Sequence, residues 1–265
     1  MPATEPEKRC RAYERDGFTI HAEPVIPESV VQRAFAGMEA VERGEYDTSA
    51  PPQSSYWNPG DPADKLVKIE MPQFANRAIM ELVSHPALGR LAAEVTGARW
   101  VQVWWVQHLA KPPVLGDAKT RVGWHQDRNY WGIWEAGSEL FTAWVAVSDV
   151  TEDSGPMKFV RGSNHWGLLT GSDFYGQDHD HQRRTLEVPD GFDWEEVAAI
   201  LPPGGVSFHH CLTLHASGQN QSAAMRRSLA IHMRTDKSDP VNGERKGLAS
   251  FIDDPARCPI IYRAD

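Results

Sequence analysis

The sequence of 265 residues has only three cysteines, Cys10, Cys211 and Cys258. An odd number of widely spaced thiols predicts neither a disulfide framework nor a thiolate zinc site, and it favours a reducing compartment. Apolar runs approaching the roughly 18 residues of a membrane span are also absent. The charged segment MPATEPEKRC lacks the apolar stretch of a signal peptide. We therefore expect a cytoplasmic protein with no membrane partner.

Positive charge is scarce as well. Lys and Arg number 27 against 36 Asp and Glu, which gives a net charge of -9, and no basic stripe stands out. Such a chain repels the phosphate backbone, so nucleic acid is not an expected partner. The 21 glycines and 19 prolines are near average usage and have no period, which excludes collagen-like and low-complexity chains. The length suits one large domain, and we expect residues 1–265 to form a single one.

Apolar spacing divides the chain into two parts. Residues at three- and four-residue spacing predict helices over 27–44, 76–83 and 86–95, so helices lie mainly in 1–97. From residue 100 to about 235 the texture is β-branched and aromatic, typical of strands. Helices of ordinary length do not alternate with these strands. The pattern therefore predicts an antiparallel sandwich or barrel with helices packed outside.

The first candidate for chemistry is the pair His125 and Asp127. In an extended segment residues i and i+2 share a face, so the two side chains could be ligands of one metal ion. Such a pair also arises by chance, and a solvated loop is the alternative interpretation.

A second block about ninety residues later strengthens the metal hypothesis. A histidine at the end of one strand, His215, can meet the earlier pair across a barrel. Two imidazoles and one carboxylate on one face of an octahedral ion are typical of non-heme Fe(II) oxygenases. Arg226 follows eleven positions later, and its planar fork matches a carboxylate. Arg226 and Arg227 are adjacent, so alternation lets only one point inward, and spacing favours Arg226.

At these residues the sequence resembles the phytanoyl-CoA dioxygenase family of Fe(II)- and 2-oxoglutarate-dependent oxygenases. The matching motifs are His125-Gln126-Asp127, His215-Ala216-Ser217-Gly218-Gln219-Asn220, Arg226, Lys111-Pro112-Pro113, Ala143-Trp144, Ser154-Gly155-Pro156-Met157 and Arg161-Gly162-Ser163-Asn164-His165. They occur in the family's order over roughly 68–233.

The resemblance implies a mainly β fold with flanking helices, built on a double-stranded β-helix or jelly-roll, cupin-like core. It implies a catalytic metal site formed by His125, Asp127 and His215, with Fe(II), 2-oxoglutarate and O2 as cofactor and cosubstrates. The 2-oxoglutarate contacts that it implies are Arg226, Trp144, Gln107 and Lys68.

The resemblance further implies oxidation of a small-molecule substrate with release of succinate and CO2. Related halogenases replace the ligand carboxylate with a smaller residue. The presence of Asp127 therefore favours hydroxylation over halogenation.

Substrate contacts are expected near the metal site. Seven of the ten tryptophans lie between positions 100 and 144. Most could fill the core of the sheet, but Trp131, Trp134 and His209 are the candidates to touch substrate. The run from Asp178 to His181 predicts a solvated loop, or part of a lid over the site.

Two other functions compete with an oxygenase. A jelly-roll metalloenzyme could use Zn or Mn without 2-oxoglutarate, although it would not need an inward Arg226. A non-catalytic small-molecule-binding relative is the other, against which the intact ligand set speaks. The identity of the substrate and the oligomeric state do not follow from these patterns.

Overall fold

The computed structural model describes residues 3–114 and 120–264. Within these ranges the α-helices are α1 (Glu5–Asp16), α2 (Glu28–Glu42), α3 (Arg77–Val83), α4 (Pro86–Thr96) and α5 (His179–Thr185). The β-strands are β1 (Phe18–His21), β2 (Ser54–Ser55), β3 (Val67–Glu70), β4 (Trp100–Lys111), β5 (Val122–His125), β6 (Leu140–Ala146), β7 (Met157–Val160), β8 (Glu196–Ala198), β9 (Val206–His210), β10 (His215–Ser217), β11 (Arg226–Thr235) and β12 (Ile260–Arg263).

Helices α2, α3 and α4 confirm the three helices predicted from apolar spacing. Asn76 caps α3 by accepting from two backbone N–H groups, and α4 ends at Gly97, whose φ of 65° is left-handed. Helix α1 was not predicted, because its segment is mostly polar. A reciprocal capping box between Thr4 and Glu7 starts it.

Residues 178–181 correct one prediction. They do not form a solvated loop, because Asp178 caps helix α5 by accepting from the N–H of His181 at 2.8 Å. The helix is anchored by Gln182, which is buried and bonds to the backbone of Trp124. The segment is therefore tied to β5, next to the candidate site.

The strands form two antiparallel sheets. The larger has the order β1-β9-β6-β11-β4-β3-β2 with β12 also paired to β4, and the smaller has the order β5-β10-β7-β8. Helices α2, α3 and α4 contribute to a hydrophobic core with the outer face of the larger sheet, where Met38, Ile79 and Leu88 are fully buried with Val103. Burial of these side chains is the main contribution to stability. The two sheets enclose a cavity, as in the predicted jelly-roll.

Cross-strand register decides which side chains face that cavity. One row across the larger sheet contains His209, Thr142, His232 and Trp105, each paired with the next. Paired residues of neighbouring strands share a face, so the row points to one side. All four side chains line the cavity. Within the described ranges no helix has the length and apolar character needed to cross a membrane.

Candidate active site

Three side chains at or just beyond the ends of two paired strands converge at one wall of the cavity. His215 opens β10 directly opposite His125, the last residue of β5, and Asp127 follows two residues later. Oδ1 of Asp127 lies 3.6 Å from Nε2 of His125 and 3.7 Å from Nε2 of His215. One nitrogen or oxygen from each residue falls within 4.8 Å of the others, and all three residues are buried. The group has the size and donor types of a metal site.

Backbone carbonyls fix both imidazoles in one tautomer. Nδ1 of His125 lies 2.8 Å from the carbonyl of Gly123, and Nδ1 of His215 lies 2.9 Å from the carbonyl of Thr213. A carbonyl only accepts, so each Nδ1 carries the proton and each Nε2 keeps its lone pair. Those two Nε2 atoms face Asp127. This is the arrangement in which histidine binds a metal.

The two oxygens of Asp127 have different surroundings. Oδ2 accepts from Oγ1 of Thr142 at 2.8 Å and lies 3.3 Å from Nε2 of His209. Since the Thr142 proton goes to Asp127, the Nδ1 of His232, 2.8 Å away, must donate to Thr142. Oδ1 is left facing the two ligand imidazoles. The carboxylate is thereby arranged to bind an ion through one oxygen.

Protonation states at the site suit metal binding. Burial, followed by the nearby imidazoles of His125 and His209, lowers the pKa of His215 well below its usual value. Burial alone would raise the pKa of Asp127, but His215, His125 and His209 hold that pKa well below its ordinary range. A neutral imidazole beside an ionised carboxylate needs no deprotonation before it binds a cation.

The cavity beside this group has a volume of about 330 Å³. One wall is the inner face of β11 and β4, where Ala230 lies opposite Gln107 and Ser228 opposite Leu109. Arg226 lies on this wall and is only 3% exposed. Its Cζ stands 5.0 Å from the ring centroid of Trp144, which also lines the cavity.

The guanidinium of Arg226 lacks an anionic partner in the part of the chain that the structure describes. Its Nε and Nη1 atoms are buried there without a hydrogen bond. Burial lowers the pKa of Arg226 to about 10, so the group stays charged at neutral pH. A buried, unpaired cation is costly unless an anion joins it. This orphaned fork therefore fits the free carboxylate of a diacid such as 2-oxoglutarate.

A family model described as Phytanoyl-CoA dioxygenase (PhyH) matches residues 13–228, which is most of the chain. The chain belongs to this family. The resemblance drawn from the motifs is thereby confirmed.

Curated relatives are more distant. Peroxisomal phytanoyl-CoA dioxygenase of Homo sapiens is 23% identical over 237 residues, covering 83% of this chain and 65% of the relative. L-proline trans-4-hydroxylase of Streptomyces griseoviridis is 28% identical over 195 residues, covering 68% of this chain and 71% of the relative. The chain spans less than two thirds of the length of the phytanoyl-CoA dioxygenases that it matches.

Solved structures confirm the jelly-roll fold of the family. The non-heme alpha ketoglutarate dependent epimerase SnoN, from nogalamycin biosynthesis, superposes with a TM-score of 0.68 at 20% identity, covering 89% of this chain and 84% of its own. EvdO2 from Micromonospora carbonacea var. aurantiaca, solved with 2-oxoglutarate, has a TM-score of 0.61 at 21% identity, covering 91% of this chain and 94% of its own. At these identities the likeness concerns the fold.

The remaining residues that the family resemblance singles out lie at the cavity with partners of their own. Nζ of Lys68 is 3.4 Å from Oε1 of Glu70, and Nε2 of Gln107 donates to the same oxygen at 3.2 Å. Nε1 of Trp105 donates to Oε2 of Glu70 at 2.6 Å. Glu70 was not predicted. The i, i+2 spacing from Lys68 on β3 was the signal that could have found it.

The three candidates for substrate contact differ in whether they line the cavity. Trp131 and His209 line the cavity. Trp134 does not. It is fully buried, with its ring 5.3 Å from that of Trp104 and under the guanidinium of Arg234. The prediction for Trp134 is therefore wrong, and the residue fills the core instead.

Aromatic side chains from the segment before α5 cover the site. The ring of Phe174 lies 5.0 Å from that of His125, and its N–H donates to the hydroxyl of Tyr130 at 2.9 Å. Nζ of Lys68 stands 4.6 Å from the Phe174 ring. Tyr175 also lines the cavity and is 64% exposed at its mouth. Phe174 and Tyr175 lie just before residues 178–181, for which a lid over the site was the alternative interpretation.

Proposed function

We propose that the protein is an Fe(II)- and 2-oxoglutarate-dependent dioxygenase that hydroxylates a small molecule. The observation that carries the proposal is the combination of a three-ligand metal site with the orphaned guanidinium of Arg226 in one cavity. When bound, iron and 2-oxoglutarate would supply the activation of O2, with one oxygen atom entering the substrate and the other entering succinate as CO2 leaves.

The chain's own residues would bind and orient these groups. Nε2 of His125, Nε2 of His215 and Oδ1 of Asp127 would hold the ion. Thr142 would keep Asp127 to a single ligand oxygen through its bond to Oδ2. Arg226 would hold the distal carboxylate of 2-oxoglutarate, with the ring of Trp144 beneath its guanidinium.

The substrate is proposed to be small and to enter beneath the aromatic segment. A cavity of about 330 Å³ has to hold both the cosubstrate and the reacting part of the substrate. The net charge of -9 works against a polyanionic thioester. Trp131 and His209 remain the proposed substrate contacts, while Lys68 and Gln107 remain proposed cosubstrate contacts.

Two broader features belong to the same proposal. We propose that residues 1–265 act as one domain, which is supported by a core cluster that includes both Tyr13 and Cys258. A reducing, cytoplasmic setting is supported by the free thiols of Cys10, Cys211 and Cys258.

The test is anaerobic addition of 2-oxoglutarate to the Fe(II)-loaded protein. A weak visible charge-transfer band is expected, because the keto acid would chelate the iron. A colourless sample with fully loaded iron would overturn the proposal and favour a Zn or Mn enzyme that does not use 2-oxoglutarate. Succinate release that requires iron, O2 and 2-oxoglutarate distinguishes an enzyme from a binding relative.

A further inference from the structure

A second buried cation lies next to Arg226. Lys111, the last residue of β4, is paired in register with Arg226 on β11, so both side chains share the inner face. Lys111 has no exposed surface. In the described part of the chain no carboxylate lies within ion-pairing distance of Nζ. Burial, then the positive charges of Arg226 and Arg121, lowers the pKa of Lys111 well below its usual value.

Among the described residues, the ammonium of Lys111 bonds only to Ser217, the last residue of β10, and to Gly218 in the turn that follows. Nζ donates to Oγ of Ser217 at 2.7 Å, to the carbonyl of Ser217 at 3.3 Å and to the carbonyl of Gly218. With an anion in the cavity to balance its charge, Nζ is an ammonium, which donates and has no acceptor capacity, so Oγ of Ser217 must accept. The hydroxyl proton of Ser217 then remains for another acceptor. Ser217 lines the cavity together with Arg226, so that acceptor can be a ligand.

A purely structural role for Lys111 is poorly matched to these contacts. The end of β4 and the turn are already joined by other bonds: Nδ2 of Asn220 donates to the carbonyl of Lys111 at 2.9 Å, and the N–H of Val114 donates to the carbonyl of Asn220 at 2.7 Å. A neutral side chain would fill the same volume without the cost of burying a charge beside a second cation. The charge is better explained by an anion that joins both groups.

We propose that Lys111 is a positioning residue for the distal carboxylate of 2-oxoglutarate. It holds Oγ of Ser217 so that the hydroxyl donates into the cavity, and it adds a second positive charge behind the guanidinium of Arg226. Lys111 itself does not touch the ligand. This inference rests on the proposed function, since it takes 2-oxoglutarate to be the anion that balances the charges of Arg226 and Lys111.

The experiment compares two keto acids that differ only at the distal end. Their dissociation constants are measured by calorimetry on the Mn(II)-loaded protein without O2, using 2-oxoglutarate and 2-oxopentanoate, which keeps the chain but lacks the distal carboxylate. In Lys111→Met we expect 2-oxoglutarate to bind about tenfold or more weakly, since bonds to a charged group are weakened. Binding of 2-oxopentanoate should change less than about threefold. Lys237→Met makes the same chemical change at an exposed position and should alter neither constant.

Ser217→Ala tests whether Lys111 acts on 2-oxoglutarate through the hydroxyl of Ser217. This test does not depend on the folding of the Lys111 variant. It should also weaken 2-oxoglutarate selectively. If both single variants fold, the double variant should lose little more than Lys111→Met alone, because Ser217 acts through the hydroxyl that Lys111 holds. Full discrimination between the keto acids in Ser217→Ala would overturn the inference.

Other outcomes are equally decisive. Equal weakening of both keto acids in Lys111→Met would assign Lys111 a structural role, and an unchanged 2-oxoglutarate constant would remove it from the site. Either result leaves the proposed function intact if the wild-type protein binds 2-oxoglutarate. Failure of the wild type to bind 2-oxoglutarate would overturn the proposed function and this inference together.

Discussion

The two faces of β11 carry neighbouring arginines with opposite surroundings. Arg227 points outward, where Nε lies 3.3 Å from Oε1 of Glu42 and the guanidinium covers the ring of Phe35. Glu42 also pairs with Nε2 of His108 at 3.0 Å. Arg226 points inward and has no anion in the described structure. The charge of Arg227 on the outer face is therefore balanced by a carboxylate of the fold, whereas the charge of Arg226 on the inner face is left for a ligand to balance.

Glu42 is the carboxylate that balances positive charge on the outer face. Burial alone would raise the pKa of this carboxyl, but His108 and Arg227 hold the pKa below its ordinary value. The inner cations Arg226 and Lys111 have no such group in the regions described. Buried charges without partners are expensive, so their presence marks a functional site more strongly than a buried ion pair does.

The largest effect should come from removing the one carboxylate of the metal group. Asp127→Ala deletes the only anionic member of the three, and its loss should lower metal affinity and succinate formation by more than about 100-fold. Bound iron is measured after dialysis and succinate after incubation with 2-oxoglutarate. Undiminished turnover would exclude Asp127 from the ligand set.

The two arginines give a matched pair of variants. Arg226→Met should weaken 2-oxoglutarate binding about 100-fold, because a bidentate bond to a carboxylate is lost. It should not lower the free energy of unfolding of the ligand-free protein, since an unpaired buried charge is removed.

Arg227→Met should do the reverse. It leaves Glu42 with one partner fewer, so the free energy of unfolding should fall by about 2 kcal/mol, while the 2-oxoglutarate constant stays within about twofold. Chemical denaturation and calorimetry measure the two quantities. Equal effects of both variants on binding would contradict the difference between the faces.

A smaller loss is expected at the residue that orients the carboxylate. Thr142→Val removes the donor to Oδ2 of Asp127 at nearly constant volume. Metal affinity should fall about tenfold, as for other partners that orient ligands. The ratio of dissociation constants for 2-oxoglutarate and 2-oxopentanoate should not change, because the distal end is untouched. Thr142→Ser retains the hydroxyl and should restore most of the metal affinity.

Local patterns were sufficient for part of this site. The i, i+2 rule placed His125 and Asp127 together, and alternation allowed only one of Arg226 and Arg227 to point inward. Roles that depend on cross-strand register could not be predicted. Lys111 meets Arg226 only because β11 and β4 pair in this register, and Thr142 meets Asp127 only because the two sheets face each other across the cavity. Sequence spacing within one strand contains no information on that register.

Apolar periodicity predicted only some of the helices. Three helices with a continuous apolar face were predicted, but α1 and α5 start from polar capping groups and few of their residues are buried. Trp134 was misassigned because aromatic residues of cavity and core look alike in sequence. Only the position of the Trp104 ring, against which Trp134 packs, separates the two.

The smallest effect on 2-oxoglutarate binding is expected for Lys68. This residue tests whether a paired cation differs from an unpaired one. It lies at the cavity, as the inward cations do, yet its ammonium already pairs with Glu70 and covers the Phe174 ring. A cation that already has a partner should contribute little to the binding of a second anion. Lys68→Met should therefore weaken 2-oxoglutarate binding by only about threefold, measured by calorimetry as for Arg226→Met. A loss as large as that of Arg226→Met would show that Lys68 exchanges Glu70 for the cosubstrate. The expectation that unpaired cations contribute most to binding the diacid would then fail at the mouth of the cavity.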